Sequence, residues 1–126
     1  MTPHKGGVVL VVDDYEDARR FFCTFLQLAG YEVLGAADGQ DALDVARRQR
    51  PDLILLDLKM PRMDGETFRR EQLADATLST IPVIVLSGSS DGQQIAQRIA
   101  AIDYLQKPID SRMLLAAVGR VLPVGG

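Results

Sequence analysis

The stretch DLILLDLKMP, Asp52 to Pro61, decides the reading of the fold. Four consecutive apolar residues, Leu53 to Leu56, form a run too short for a helix and too uniformly apolar for a half-exposed strand. Such a run is expected in a strand buried on both faces of a parallel sheet. The run ends on a carboxylate, Asp57. An acid at the tip of a buried strand is either an incidental surface group or part of a site, and the rest of the chain separates the two.

The chain has 126 residues, enough to close one core, and is expected to form a single domain over residues 1–126 with an ordered core at about residues 7–122. It is 47% hydrophobic and 25% charged, as globular chains are. A net charge of −3 and no basic stripe argue against direct nucleic-acid binding. Arg47, Arg48 and Arg50 read as the solvated end of a helix, where cations suit the dipole. The single cysteine, Cys23, excludes an internal disulfide and reads as a buried, inert thiol. His4 is given no role. No signal peptide or membrane-spanning run is visible, so the expected location is cytoplasmic, away from membranes.

Apolar runs alternate with helical patterns along the chain. Val8 to Asp13 reads as a first strand; Ala18, Phe21, Phe25, Leu28 and Ala29 then keep a helical period that ends at Gly30. YEVLGA is a weaker second strand, followed by a helix opened by Asp38 and closed before Pro51. DLILLD is the third strand, and GETFRREQLAD a helix polar on much of its surface. IPVIVLS is the fourth strand, with Pro82 tolerable near its start, and a short helix runs around Gln93 to Ile99. DYLQ is the fifth strand; Asp110 caps a last helix carrying Met113, Leu114, Ala117, Val118 and Val121. Five strand–helix alternations predict an α/β, doubly wound, five-stranded parallel sheet with right-handed crossovers. The flavodoxin-like (βα)5 arrangement with strand order 2-1-3-4-5 is the candidate, with ligands at the C-terminal edge near the switch between strands 1 and 3.

That edge collects chemistry. Strand 1 ends in Asp13 and Asp14, strand 3 in Asp57, strand 4 in Ser87, and strand 5 runs into Lys107 and Pro108. Gathered carboxylates repel one another and call for a cation or protons. Oxygen ligands suit a hard ion, with Mg²⁺ the natural choice because it keeps waters and shares its site with phosphate. A hydroxyl and a lysine beside the metal can hold an anion, and a carboxylate can act as nucleophile to give an acyl phosphate. Asp57 is the best placed for that role.

VVDD at the first strand end, LLDLKMPRMDG around Asp57, IPVIVLSG ending at Ser87 and DYLQKP ending at Lys107-Pro108 together resemble the receiver domain of two-component response regulators, over nearly the whole chain. The 2-1-3-4-5 order is itself familiar from receiver proteins, so it adds little independent weight. The resemblance implies a signalling domain rather than an enzyme. Asp57 would accept a phosphoryl group from a phosphohistidine on a sensor histidine kinase or histidine phosphotransfer protein. Asp14, Asp57 and the backbone carbonyl of Lys59 would ligate Mg²⁺ (Mn²⁺ as a substitute), with Asp13 acting through water. Lys107 and Ser87 would bond phosphoryl oxygens, and Tyr104 would turn in behind Ser87. That movement would switch the face of helix 4, strand 5 and helix 5 for a downstream protein. The Lys107–Pro108 bond would be cis, and the protein a monomer or transient dimer.

The sequence also departs from the family pattern. The stretch from Ser87 to Tyr104 is about two residues short, which is roughly 200° of helix, so either the GSSDG loop absorbs the loss or helix 4 is reoriented. Ala100 stands where glycine is common, and a left-handed alanine costs about 1 kcal/mol, so an altered helix cap is expected. Gly88 follows Ser87 in place of the commoner alanine, and Lys59 puts a flexible cation at the mouth of the site. Phe22 belongs either to the core or to a kinase-docking surface. Met1 and the lack of a following domain favour a stand-alone receiver over the alternative, a receiver excised from a longer protein such as a hybrid kinase. Two other functions compete: a constitutive interaction module with the same fold, and an aspartate-nucleophile phosphatase. Such phosphatases generally place an acid two residues after the nucleophile, where this chain has Lys59.

Overall fold

The structure, a computed structural model, describes residues 6–124. His4 lies outside them. The strands are β1 (Val8–Val12), β2 (Glu32–Ala36), β3 (Leu53–Asp57), β4 (Val83–Ser87) and β5 (Asp103–Gln106). The helices are α1 (Glu16–Leu28), α2 (Gly39–Arg48), α3 (Gly65–Ala74), α4 (Gly92–Arg98) and α5 (Ser111–Val121). All pairings are parallel, in the order β2-β1-β3-β4-β5. Every residue of β3 and β4 is buried, whereas the edge strands β2 and β5 are mostly part-exposed, as burial on both faces of the central strands requires.

Alternation within the strands makes two cores. Leu10, Val12, Ile54, Leu56, Val83 and Val85 pack against α2, α3 and α4 through Leu43, Phe68 and Ile95. Val9, Val11, Leu53, Leu55, Ile84 and Leu86 meet α1 and α5 through Phe22, Leu26, Leu114 and Val118. Fully burying each such side chain contributes about 1.5–3 kcal/mol. Caps set the helix starts: the carboxylates of Asp38, Asp64 and Asp110 accept from the backbone N–H groups of Asp41, Thr67 and Met113 at 2.8–2.9 Å. Pro82 lies just before β4, where no ladder N–H is lost.

Four local expectations are corrected. In α1 the buried residues are Phe22 and Leu26, while Phe21 and Leu28 are 38% and 78% exposed. The run FFCTFL is nearly continuous in apolar residues, so two adjacent helical registers fit it, and packing on α5 and the sheet selects one. Phe22 is therefore core. Met113 of α5 is likewise exposed, at 39%. α3 has a polar outer surface with Arg70 and Glu71 exposed, and Arg69 and Gln72 are buried with Gly65 and Phe68. Ala100 keeps the left-handed cap, with φ +59°, and the Ala101 N–H closes onto the Ala96 carbonyl at 2.9 Å. Cys23 is part-buried; burial pushes its thiol up, against the opposing charge of Arg19.

Candidate functional site

The parallel sheet delivers the strand-end residues to one edge. Asp13 follows β1 and is fully buried, Asp57 closes β3 at 8% exposure, and Asp14 is exposed. One carboxylate oxygen from each lies within 4.8 Å of the others. Lys107, after β5, reaches across the sheet edge to this cluster. Its Nζ stands 3.1 Å from Asp13 Oδ2 and 3.4 Å from Asp57 Oδ2. The Lys107–Pro108 bond is cis. Ser87 closes β4 at 1% exposure, and its Oγ accepts from the Ser89 N–H at 3.1 Å. Tyr104 is half-buried on β5, and Lys59 is exposed beyond Asp57, beside a groove shared with Asp64, Glu66 and Asp91.

The electrostatics follow from burial and spacing. Burial pushes the Asp57 carboxyl above its usual range, the Lys107 ammonium pulls it back, and the Asp13 carboxylate pushes it up again. Burial works to lower the Lys107 ammonium, but the Asp57 and Asp13 carboxylates outweigh it and hold it up. Three acids facing one lysine leave the cluster short of positive charge. An all-oxygen donor set of this kind fits a hard divalent cation.

The backbone around the acids is fixed by close approaches. The Gly65 N–H donates to the Leu58 carbonyl at 2.8 Å, and a Cβ on Gly65 would lie 2.5 Å from the Asp57 carbonyl oxygen. Only glycine lets α3 begin this near the end of β3. Asp13 is oriented by the Tyr15 N–H, which donates to its Oδ1 at 2.9 Å, while Arg19 Nη1 holds its carbonyl at 2.7 Å.

Comparison with known proteins identifies the family. The family model for the response regulator receiver domain matches residues 9–119. The chain belongs to the receiver domain family. It is 34% identical to the protein PilH of Pseudomonas aeruginosa over 116 residues, covering 90% of this chain and 96% of that protein. Sporulation initiation phosphotransferase F of Bacillus subtilis is also 34% identical, over 117 residues, covering 92% of this chain and 94% of the relative. The solved structure of the chemotaxis response regulator CheY4 of Vibrio cholerae superposes with a TM-score of 0.84 at 35% identity, over 91% of this chain and 98% of that one. Other relatives are longer. The chain spans about half the length of the probable transcriptional regulator ycf27 of Porphyridium aerugineum and a quarter of the response regulator PleD of Caulobacter vibrioides. No helix among the described residues is long and apolar enough to cross a membrane.

Three features of this receiver domain were not foreseen. Arg62 sits with φ +62° in the β3–α3 loop, and its guanidinium bonds the buried Asp38 carboxylate, with Nε 2.7 Å from Oδ2. That contact, with the Met63 carbonyl accepting from the Gly39 N–H at 2.9 Å, clamps the loop to the start of α2. Arg69 and Gln72 form a buried polar network between α3 and the end of α4. Gly92 is pressed against both Ser87 and Tyr104. A surface arginine is the ordinary sequence reading of Arg62 and of Arg69.

Proposed function

We propose that this receiver domain takes a phosphoryl group onto Asp57 from a phosphohistidine of a sensor kinase or phosphotransfer protein, and thereby controls a partner protein. The observation that carries this is the joint placement of Asp13, Asp14 and Asp57 within 4.8 Å, with Lys107 Nζ 3.4 Å from Asp57 Oδ2. In the transfer, the phosphorus–nitrogen bond to the donor imidazole breaks and a bond from an Asp57 carboxylate oxygen forms. Asp14, Asp57 and the Lys59 carbonyl would hold Mg²⁺, with Asp13 acting through water. When bound, the ion supplies positive charge to the transferring oxygens.

The remaining work belongs to the chain. Asp13 holds Lys107 by its ion pair, so that the ammonium stands beside Asp57 and neutralises an incoming phosphoryl oxygen. Ser87 gives up its bond from Ser89 to donate its hydroxyl to another oxygen. The difference between these contacts before and after loading biases the two arrangements of the α4–β5–α5 face. Tyr104, on β5 beside β4, carries that bias outward. The reading places the protein in the cytoplasm, acting as a monomer or transient dimer without direct contact to nucleic acid.

The test is incubation with Mg²⁺ and acetyl phosphate, followed by intact mass, for wild type and Asp57→Asn. A base-labile phosphate adduct on the wild type alone is expected. No adduct on either protein, with Mg²⁺ binding confirmed and a cognate kinase also failing, would leave the constitutive interaction module in its place.

A further inference from the structure

The two ends of α4 are held in different ways. At the C-terminal end, Arg69 of α3 is 6% exposed and uses all three of its guanidinium nitrogens. Nε donates to the Ile99 carbonyl at 2.9 Å and Nη2 to the Ala100 carbonyl at 3.1 Å. Nη1 donates to Gln72 Oε1 at 2.8 Å, and Gln72 Nε2 donates in turn to the Leu78 and Ile81 carbonyls at 2.9 and 3.0 Å. A planar cation on the last carbonyls of a helix satisfies groups that otherwise lack partners and opposes the helix dipole. The end of α4 is thereby fastened to α3 and, through Gln72, to the segment leading into β4.

At the N-terminal end there is no side-chain cap. Instead the Cα of Gly92 faces two side chains, with no room for a Cβ between them. A Cβ on Gly92 would lie 2.9 Å from Ser87 Cβ, Ser87 Oγ and Tyr104 Cε1. Tyr104 pairs with Val85 in the ladder, two residues before Ser87, so its ring reaches the Ser87 side over the Cα of Gly92. The loop between β4 and α4 runs over residues 88–91.

We infer that Gly92 and Arg69 are the positioning residues of the switch: with the far end of α4 fastened by Arg69, the backbone at Gly92 is the contact through which movement of Ser87 reaches Tyr104. The inference rests on the reading of Asp57 as phosphoacceptor and Ser87 as its responding hydroxyl. A side chain at position 92 cannot be relieved by sliding α4 outward, because Arg69 holds the other end. It must displace Ser87 or Tyr104. Loosening that end should therefore relieve it.

The experiment uses the full chain with Mg²⁺ and acetyl phosphate. Intact mass reads loading of Asp57, NMR reads the Tyr104 ring, and hydrogen exchange reads protection along α4. Wild type, Gly92→Ala, Arg69→Met and the double variant are compared. All four are expected to carry the adduct. In Gly92→Ala the phosphate-dependent change at Tyr104 falls roughly fivefold or more, the scale of ordinary coupling between sites. The double variant recovers part of it. In Arg69→Met alone, the phosphate-dependent protection change spreads from the first turn of α4 to residues 99–101. A Tyr104 response in Gly92→Ala equal to wild type overturns the inference, and so does a double variant no better than Gly92→Ala. If Gly92→Ala does not fold, Arg69→Met decides: no spread of the protection change overturns the anchor. No adduct on wild type, with acetyl phosphate or a kinase, instead brings down the phosphoacceptor reading on which the inference stands.

Discussion

Replacing Lys107 by methionine keeps most of the side-chain stem and removes the ammonium that stands 3.1 Å from Asp13 and 3.4 Å from Asp57. At an effective dielectric of about 20, each contact is worth roughly 5 kcal/mol before desolvation is counted. The carboxylates are 0% and 11% exposed and the lysine side chain 28%, so this is a mostly buried pair, and breaking one leaves uncompensated charge. The loss is capped because Asp57, already pushed up by burial, can take a proton instead. A net destabilisation of about 2–3 kcal/mol follows, or a fall in Tm of roughly 8–12 °C for a chain of this size. Added Mg²⁺ should act in the opposite direction. Removing Lys107 removes the cation that competes with the metal for the same oxygens, so saturating Mg²⁺ raises the Tm of Lys107→Met by more than that of wild type. Thermal unfolding in EDTA and then in excess Mg²⁺, on both proteins, checks the two halves separately. An unchanged Tm in EDTA would show that the ion pairs contribute nothing net. A metal-induced rise no larger than in wild type would show that lysine and metal do not share the carboxylates.

Three further outcomes are expected. Burial would raise the Asp38 carboxyl, but the Asp41 N–H and the hydrogen bond and charge of Arg62 outweigh it and hold it below the usual range. Its contribution is therefore fully present above about pH 4 and lost as pH falls through the depressed value, so the stability of Asp38→Asn declines less steeply below pH 4; parallel curves in a series of urea unfolding measurements would refute this. Ala100→Gly relieves the φ of +59° and stabilises by about 0.5–1 kcal/mol in urea unfolding, with any destabilisation counting against the strain. Gln72→Leu keeps the volume but strips the Leu78 and Ile81 carbonyls and Arg69 Nη1 of a partner, at a cost of about 3 kcal/mol; a change below about 1 kcal/mol would mean that water replaces the amide.

The legibility of this chain follows from where its information sits. The acids were readable because a parallel sheet places all strand C-termini on one edge, so the residue after each apolar run falls at the site whatever the helices do. The inward face of α1 is ambiguous in the sequence because almost any face of FFCTFL looks apolar. α3 hides a further signal. Gly65, Phe68, Arg69 and Gln72 stand at i, i+3, i+4 and i+7, a regular inward stripe, but half of it is polar and hydrophobicity alone passed over it.

The α4 region joins these cases. The missing residues and the alanine in place of glycine were visible as two separate departures from the family pattern, each with its own expected disturbance. The structure shows how the second of them is met. Arg69 donates to the Ala100 carbonyl and so holds the left-handed alanine that would otherwise favour another cap. Glycine at position 92 admits the close approach of α4 to Ser87 and Tyr104. A buried arginine on α3 thus holds a left-handed alanine at the end of α4, and a glycine on α4 admits two side chains from the sheet. Neither can be recognised from its own neighbours in sequence, because its partners lie across the fold.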